Sequence, residues 1–237
     1  MKVAIMQPYF LPYIGYFQLL SLVDTFIFYD DVNFIKQGYV NSNQIPTNNT
    51  LIKFTIPLKN QSSFVRIKDT YIHTEIYEKW KNKFIKTIDQ NYAKATNFQV
   101  IKPILIEMLD IQSKSEFSIA TIAKKSVMLS SKFMGIETKI IQSSAKFNNS
   151  NLKSEKRVID ICKQIGAKEY INPIGGIKLY NTQTFDKENI KLSFLKTNFT
   201  LNNKKNQKFY SIIDDLMKLS KDELKKKLES FKLISHE

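Results

Sequence analysis

Two stretches near the amino terminus carry side chains whose types and spacing could do chemistry. The first is Gln7-Pro8-Tyr9-Phe10-Leu11-Pro12-Tyr13-Ile14-Gly15 and the second is Asp30-Asp31-Val32-Asn33-Phe34, followed by Lys36. Adjacent carboxylates repel, so both cannot sit dry and ionised without a cation. A Mg²⁺ ion or a substrate ammonium would resolve that repulsion, and a shifted pKa would then permit base chemistry. The same Asp-Asp pair also suits a solvated turn after a strand. Gly15 either lets a helix amino end approach a phosphate or makes the turn. Two further clusters are amide- or glycine-rich. Gln37-Gly38-Tyr39-Val40-Asn41-Ser42-Asn43 offers groups that both donate to and accept from sugar hydroxyls, or forms a turn. Asn172-Pro173-Ile174-Gly175-Gly176, with Tyr180 beyond it, lets backbone approach a ligand or turns tightly.

These loops need elements to hold them. Lys2–Met6 is a short apolar run that reads as a buried strand, residues 16–23 as a helix and 25–29 as a second buried strand. Strand, helix and strand within about thirty residues make a βαβ unit with a right-handed crossover. Neighbouring strands would then set the Gln7 loop and the Asp30 loop side by side at their carboxyl ends, where open parallel sheets bind ligands. Downstream, residues 51–57 read as a strand with a short extension at 65–67. Residues 73–91, 98–109 and 115–134 read as helices, 137–141 as a strand and 152–165 as a helix stopped by Gly166. Strands follow at 168–171 and 190–194, then helices at 209–219 and 221–231. The alternation predicts an α/β fold: a three-layer, Rossmann-like parallel sheet with a helical insertion over 73–134 and a helical part over 196–237, all in one domain of 1–237.

Composition bounds the function. The chain has 237 residues, 43% of them hydrophobic, which excludes intrinsic disorder. Its single cysteine, Cys162, excludes an intramolecular disulfide and lies on the apolar face of a predicted helix as a core thiol. Two histidines, His73 and His236, cannot build a His-based metal site. The formal charge is +14, yet Arg66 and Arg157 are the only arginines among 36 basic residues. Nucleic-acid readers lean on arginine, so no nucleic acid is expected. Phosphate-bearing small substrates, or an anionic membrane surface, fit a lysine excess as well. Residues 1–35 run against the trend, with Lys2 opposed by Asp24, Asp30 and Asp31. The apolar amino terminus is broken by Gln7, Pro8, Pro12 and Gln18 and lacks a cleavage site, and no uninterrupted apolar run is long enough for a span. A cytoplasmic protein with no transmembrane segment is expected. G-x-G-x-x-G and P-loop patterns are missing from the first loop.

Met6-Gln7-Pro8 through Leu19, Asp24-Thr25-Phe26-Ile27-Phe28-Tyr29-Asp30-Asp31-Val32-Asn33-Phe34-Ile35-Lys36, and Tyr39-Val40-Asn41-Ser42-Asn43 together resemble the opening of the WbqC-like protein family. Weaker echoes include Trp80 with Lys83, Arg157-Val158-Ile159-Asp160, Gly175-Gly176 with Tyr180, and Ser211-Ile212-Ile213-Asp214. The opening is similar, more faintly, to nucleotidylyltransferase-like Rossmann domains, but Gly15-Tyr16-Phe17-Gln18 lacks their histidine signature. The resemblance implies a step in bacterial O-antigen or other surface-polysaccharide synthesis, acting on a nucleotide-linked or lipid-linked sugar. Transfer of an acyl or aminoacyl group, such as glycyl, from a thioester to an amino sugar is the leading expectation. An ATP- and Mg²⁺-dependent transferase or ligase, or a non-catalytic sugar-binding assembly protein, are the alternatives. In this reading Asp30, Asp31 and Gln7 are the candidate catalytic residues. Pro8, Gly15, Asn33, Lys36, Asn41, Asn43, Gly175, Gly176 and Tyr180 are the candidates for substrate binding. Two departures stand out: Ser42 replaces a family arginine, and residues 198–207 lack the family's Pro and Tyr-Gln pair.

Overall fold

The computed structural model describes residues 1–47, 50–59, 61–111, 117–198 and 209–235. The missing carboxyl-terminal pattern thus falls, apart from Asn198, outside the described residues. The elements run β1 (Lys2–Met6), α1 (Ile14–Leu22), β2 (Thr25–Phe28), β3 (Ser42–Pro46), β4 (Leu51–Thr55), α2 (Thr74–Tyr92), α3 (Phe98–Leu109) and α4 (Ile119–Phe133). They continue with β5 (Lys139–Ile141), α5 (Ser154–Gln164), β6 (Glu169–Pro173), α6 (Thr182–Asp186), β7 (Lys191–Thr197), α7 (Ile213–Lys218), α8 (Lys221–Glu229) and β8 (Phe231–Ser235).

Six strands form one sheet in the order β5-β2-β1-β6-β7-β8, parallel except for the last pair. The strands alternate their burial between two faces, as a period of two requires. Ala4, Phe26, Phe28 and Leu195 join the core built with α1, α2, α3, α4, α7 and α8. Val3, Ile5, Ile27, Tyr170 and Phe194 join a second core with α5 and α6. Helices therefore cover both faces, and the fold is the Rossmann-like three-layer α/β arrangement. No described helix is long and apolar enough to cross a membrane.

Three segments differ from the sequence expectation. The strand near 51–57 is β4, and it pairs antiparallel with β3 in a separate two-stranded sheet, not with the central one. Residues 65–67 are not a strand extension. Arg66 makes an isolated bridge to Asn33, and Ile67–Asp69 forms a short 3-10 turn. At the carboxyl end the helix stops at Glu229, and β8 returns antiparallel along β7. The segment Phe231-Lys232-Leu233-Ile234-Ser235 is an edge strand with Lys232, Leu233 and Ser235 exposed.

Candidate functional site

The order of the central strands has one reversal. From β1 the chain winds outward to β2 and β5, then crosses under α5 to β6 and onward to β7. The switch point lies between β1 and β6. In open α/β sheets the crevice for ligands opens at such a point, outside the carboxyl ends of the strands. Here β1 pairs with β2 over four residues, Val3 to Met6, but with β6 only through Lys2 and Val3. Beyond Val3 the two strands part toward their carboxyl ends. Gln7 leaves one side of the opening, and Ile174-Gly175-Gly176 leaves the other.

The β6 side is packed around a small residue. A Cβ on Gly176 would fall inside the Asn172 side-chain amide, so only glycine allows this approach. Asn172 in turn accepts through Oδ1 from the Tyr170 hydroxyl at 3.1 Å, and Tyr170 meets the Tyr180 hydroxyl at 3.2 Å. Gly175 has open space around it. On the β1 side Gln7 is half-buried, with its amide oxygen 3.5 Å from the Tyr9 hydroxyl. Tyr9 also faces Tyr39 and Tyr16, at ring separations of 5.8 and 5.7 Å.

Tyr29 sits level with Gln7, because its amide donates to the Met6 carbonyl at 2.7 Å. The Arg157 guanidinium lies 4.9 Å from the Tyr29 ring centroid. Burial raises the Tyr29 pKa, and the lowering effect of Arg157 does not reverse it. Burial likewise raises that of Tyr180. Both phenols are therefore neutral near pH 7, and because the Tyr170 proton goes to Asn172, the Tyr180 hydroxyl donates to Tyr170.

Asp30 and Asp31 stand one strand away, and each is fully engaged. The Asp30 carboxylate accepts from the Lys124 ammonium at 2.5 Å and from the Ser143 hydroxyl at 2.6 Å. The Asp31 carboxylate accepts from Arg157 at 2.5 Å and from the Ser144 hydroxyl. Asp30, Asp31 and Arg157 are almost entirely buried. Burial works to raise the Asp31 pKa, but the hydrogen bonds from Ser144 and Arg157 outweigh it and hold the carboxyl below its ordinary value. Asp31 is thus a locked anion and a poor proton acceptor.

That arrangement answers the question the sequence raised about charge. The cations that allow two adjacent carboxylates to be buried are Lys124 and Arg157. All four carboxylate oxygens already hold a protein donor, so this pair does not fit Mg²⁺. Among the described residues no group of three or more His, Cys, Asp and Glu side chains could hold a metal ion.

The remaining expected site residues are placed as follows. Pro8 is buried in the β1 exit loop. Gly15 packs tightly, since a Cβ there would strike the Tyr13 ring and the Thr197 hydroxyl, and so it serves the contact of α1 with the end of β7. Asn41 and Asn43 are buried inside the fold. Their amides donate to the Ile56 carbonyl at 3.0 Å and the Leu11 carbonyl at 2.7 Å. Asn33 and Lys36 are exposed on the loop that follows the Asp pair. Clefts of about 660 Å³ between α1, α4 and α8, and about 430 Å³ between β4 and α2, lie elsewhere.

The WbqC-like protein family matches residues 7–226, a span that holds the β1 exit loop, the Asp pair, Arg157 and Tyr180. The chain belongs to the WbqC-like protein family. One relative of this WbqC-like chain is the uncharacterized protein Rv1507c of Mycobacterium tuberculosis, 27% identical over 194 residues, which cover 81% of each chain. No solved structure matches. Sequence reasoning missed Lys124, Ser143, Ser144 and Tyr29 in this WbqC-like site. Lys124 and Arg157 lie 94 and 126 residues from their carboxylates, beyond any local pattern. One signal was available: Arg157 is one of two arginines in a lysine-dominated chain.

Proposed function

We propose that this WbqC-like protein is a transferase of bacterial surface-polysaccharide synthesis that forms an amide on the amino group of a nucleotide-linked or lipid-linked sugar. The observation that carries this reading is the β1–β6 opening, bordered by neutral donors and acceptors. Gln7 can both give and accept a hydrogen bond, as recognition of sugar hydroxyls and an amine requires. Tyr29 is a neutral phenol, suited to donating toward an acyl carbonyl oxygen as it gains charge, and Tyr180 is a neutral phenol whose oxygen can accept. The sugar nitrogen attacks the thioester carbonyl, the new C–N bond forms as the C–S bond breaks, and the departing thiolate takes the proton the nitrogen loses. Asp31 positions Arg157, and Arg157 positions Tyr29. Asp30 fixes Lys124 of the helical insertion to the same rim.

The test is a purified-protein assay with nucleotide-linked amino sugars and acyl- or aminoacyl-thioesters, read by mass. The expected result is a mass gain on the sugar that is lost in Tyr29→Phe. No gain across a broad panel, with a folded protein, would sink the reading.

A further inference from the structure

Among the described residues the most exposed aromatic side chain is Phe64, on the loop that faces residues 33–35. Phe64 is 90% exposed. Its loop is fixed: the Phe64 amide donates to the Ser62 hydroxyl at 3.1 Å, and the Val65 amide to the Ser62 carbonyl at 3.3 Å. The loop pairs antiparallel with residues 33–35 through the Asn33–Arg66 bridge and a bond from the Phe34 amide to the Val65 carbonyl at 2.8 Å. That register sets Ile35 opposite Phe64. The alternation is clean: Phe34 points in and is buried, while Asn33, Ile35, Phe64 and Arg66 all face solvent. Ile35 is itself 54% exposed. Two large apolar side chains are thus held outward on facing segments joined by an isolated bridge, a paired exposure that folding alone does not call for.

Cations surround the tip. Segments 33–39 and 61–69 carry Lys36, Arg66 and Lys68 against one acid, Asp69. None of these three cations forms an ion pair with a described residue. The tip is joined to the proposed site, because the loop that carries Ile35 and Lys36 continues to Tyr39. The carbonyls of Tyr39 and Val40 accept from the Phe10 amide at 3.2 Å, in the β1 exit loop.

We infer that Phe64 and Ile35 form a membrane-docking tip that inserts among the acyl chains of an anionic bilayer, with Lys36, Arg66 and Lys68 on its lipid phosphates. Apolar tips with basic flanks bind interfaces by combined burial and charge attraction. The choice of a bilayer over a protein partner rests on charge complementarity: the tip is basic in a +14 chain, and anionic lipid supplies both the apolar interior and the phosphate plane. This deepens the lipid-linked form of the proposed reaction, since docking would bring the β1 exit loop to the membrane face where a lipid-linked sugar presents its headgroup.

The experiment is flotation of the full chain with vesicles of phosphatidylcholine alone and of phosphatidylcholine with phosphatidylglycerol, neither holding any sugar. Wild type is expected to float with the anionic vesicles, and to be released by about 0.5 M salt, where charge attraction is screened within a few ångströms. Phe64→Ser should weaken partitioning by on the order of tenfold, the effect of withdrawing one large apolar side chain. Arg66→Glu should weaken it by about fivefold or more. Equal flotation of wild type, Phe64→Ser and Ile35→Ser would overturn the inference, because general charge would then suffice. So would a dimer in sedimentation that Phe64→Ser converts to monomer, which would make the tip a self-contact. Absence of flotation overturns docking and leaves the transferase reading intact. Absence of turnover leaves flotation unchanged.

Discussion

The two sides of the rim use polarity in opposite ways. On the β2–β5 side, charged groups are buried and saturated: Asp30 with Lys124 and Ser143, Asp31 with Arg157 and Ser144. On the β1–β6 side, neutral amides and phenols border a gap between parting strands. The charged side looks more reactive in sequence, yet its carboxylates have no oxygen left for a ligand. The neutral side has hydrogen-bonding capacity to spare. Formal charge therefore marks the scaffold here, and in the proposed reading uncharged groups mark the surface that would meet substrate.

Breaking the charged side should have the largest effect. Arg157→Met strands a buried Asp31 anion and should destabilise the fold by about 3–5 kcal/mol in urea unfolding. Adding Asp31→Asn to that variant should recover part of the loss, since no buried charge then remains; a fully additive pair would contradict the coupling. Next is the packing of the β6 turn. Gly176→Ala should cost about 1–3 kcal/mol, because the new Cβ displaces Asn172 from Tyr170. Gly175→Ala, with open space around it, is the control and should change stability little.

Acid should then separate the two sides. The folded pKa of Asp31 lies below its unfolded value, so the unfolded state binds the proton more readily. Its stabilising contribution is present above the unfolded carboxylate pKa of about 3.9 and is lost as pH falls through the lower folded value. Urea midpoints between neutral and acid pH should therefore fall more for wild type than for Asp31→Asn. The smallest stability effect belongs to the neutral side: Tyr180→Phe removes one hydrogen bond to Tyr170, about 1 kcal/mol.

The contrast also explains what the sequence made legible. The limits of β1 follow directly from Lys2-Val3-Ala4-Ile5-Met6, and those of β2 to within a residue, because both strands are buried apolar runs. The helix over 73–91 was legible from Ile76, Trp80, Phe84, Ile85 and Ile88, but the buried face is Tyr77, Phe84, Ile88 and Tyr92, with Ile76 exposed. The β3 strand was hidden because Ser42-Asn43-Gln44-Ile45-Pro46 has the composition of a loop. Its amides serve tertiary contacts: Asn43 reaches the Leu11 carbonyl, 32 positions away. The Asp pair was visible at once, but its meaning lay in Lys124 on α4 and Arg157 on α5, which only the packed sheet brings near. Splaying of β1 from β6 has no local signature, since it depends on where the chain reverses its winding.

The most direct test of the account compares turnover with stability for Gln7→Ala. Gln7 is half-buried, and its one side-chain hydrogen bond among the described residues is the long 3.5 Å approach to Tyr9, so truncation should leave the melting temperature nearly unchanged. The account predicts that kcat/KM for acyl transfer to the amino sugar falls about tenfold or more in this folded variant. Full activity in Gln7→Ala, measured beside wild type on the same substrate, would contradict the assignment of the β1–β6 opening as the place where substrate binds.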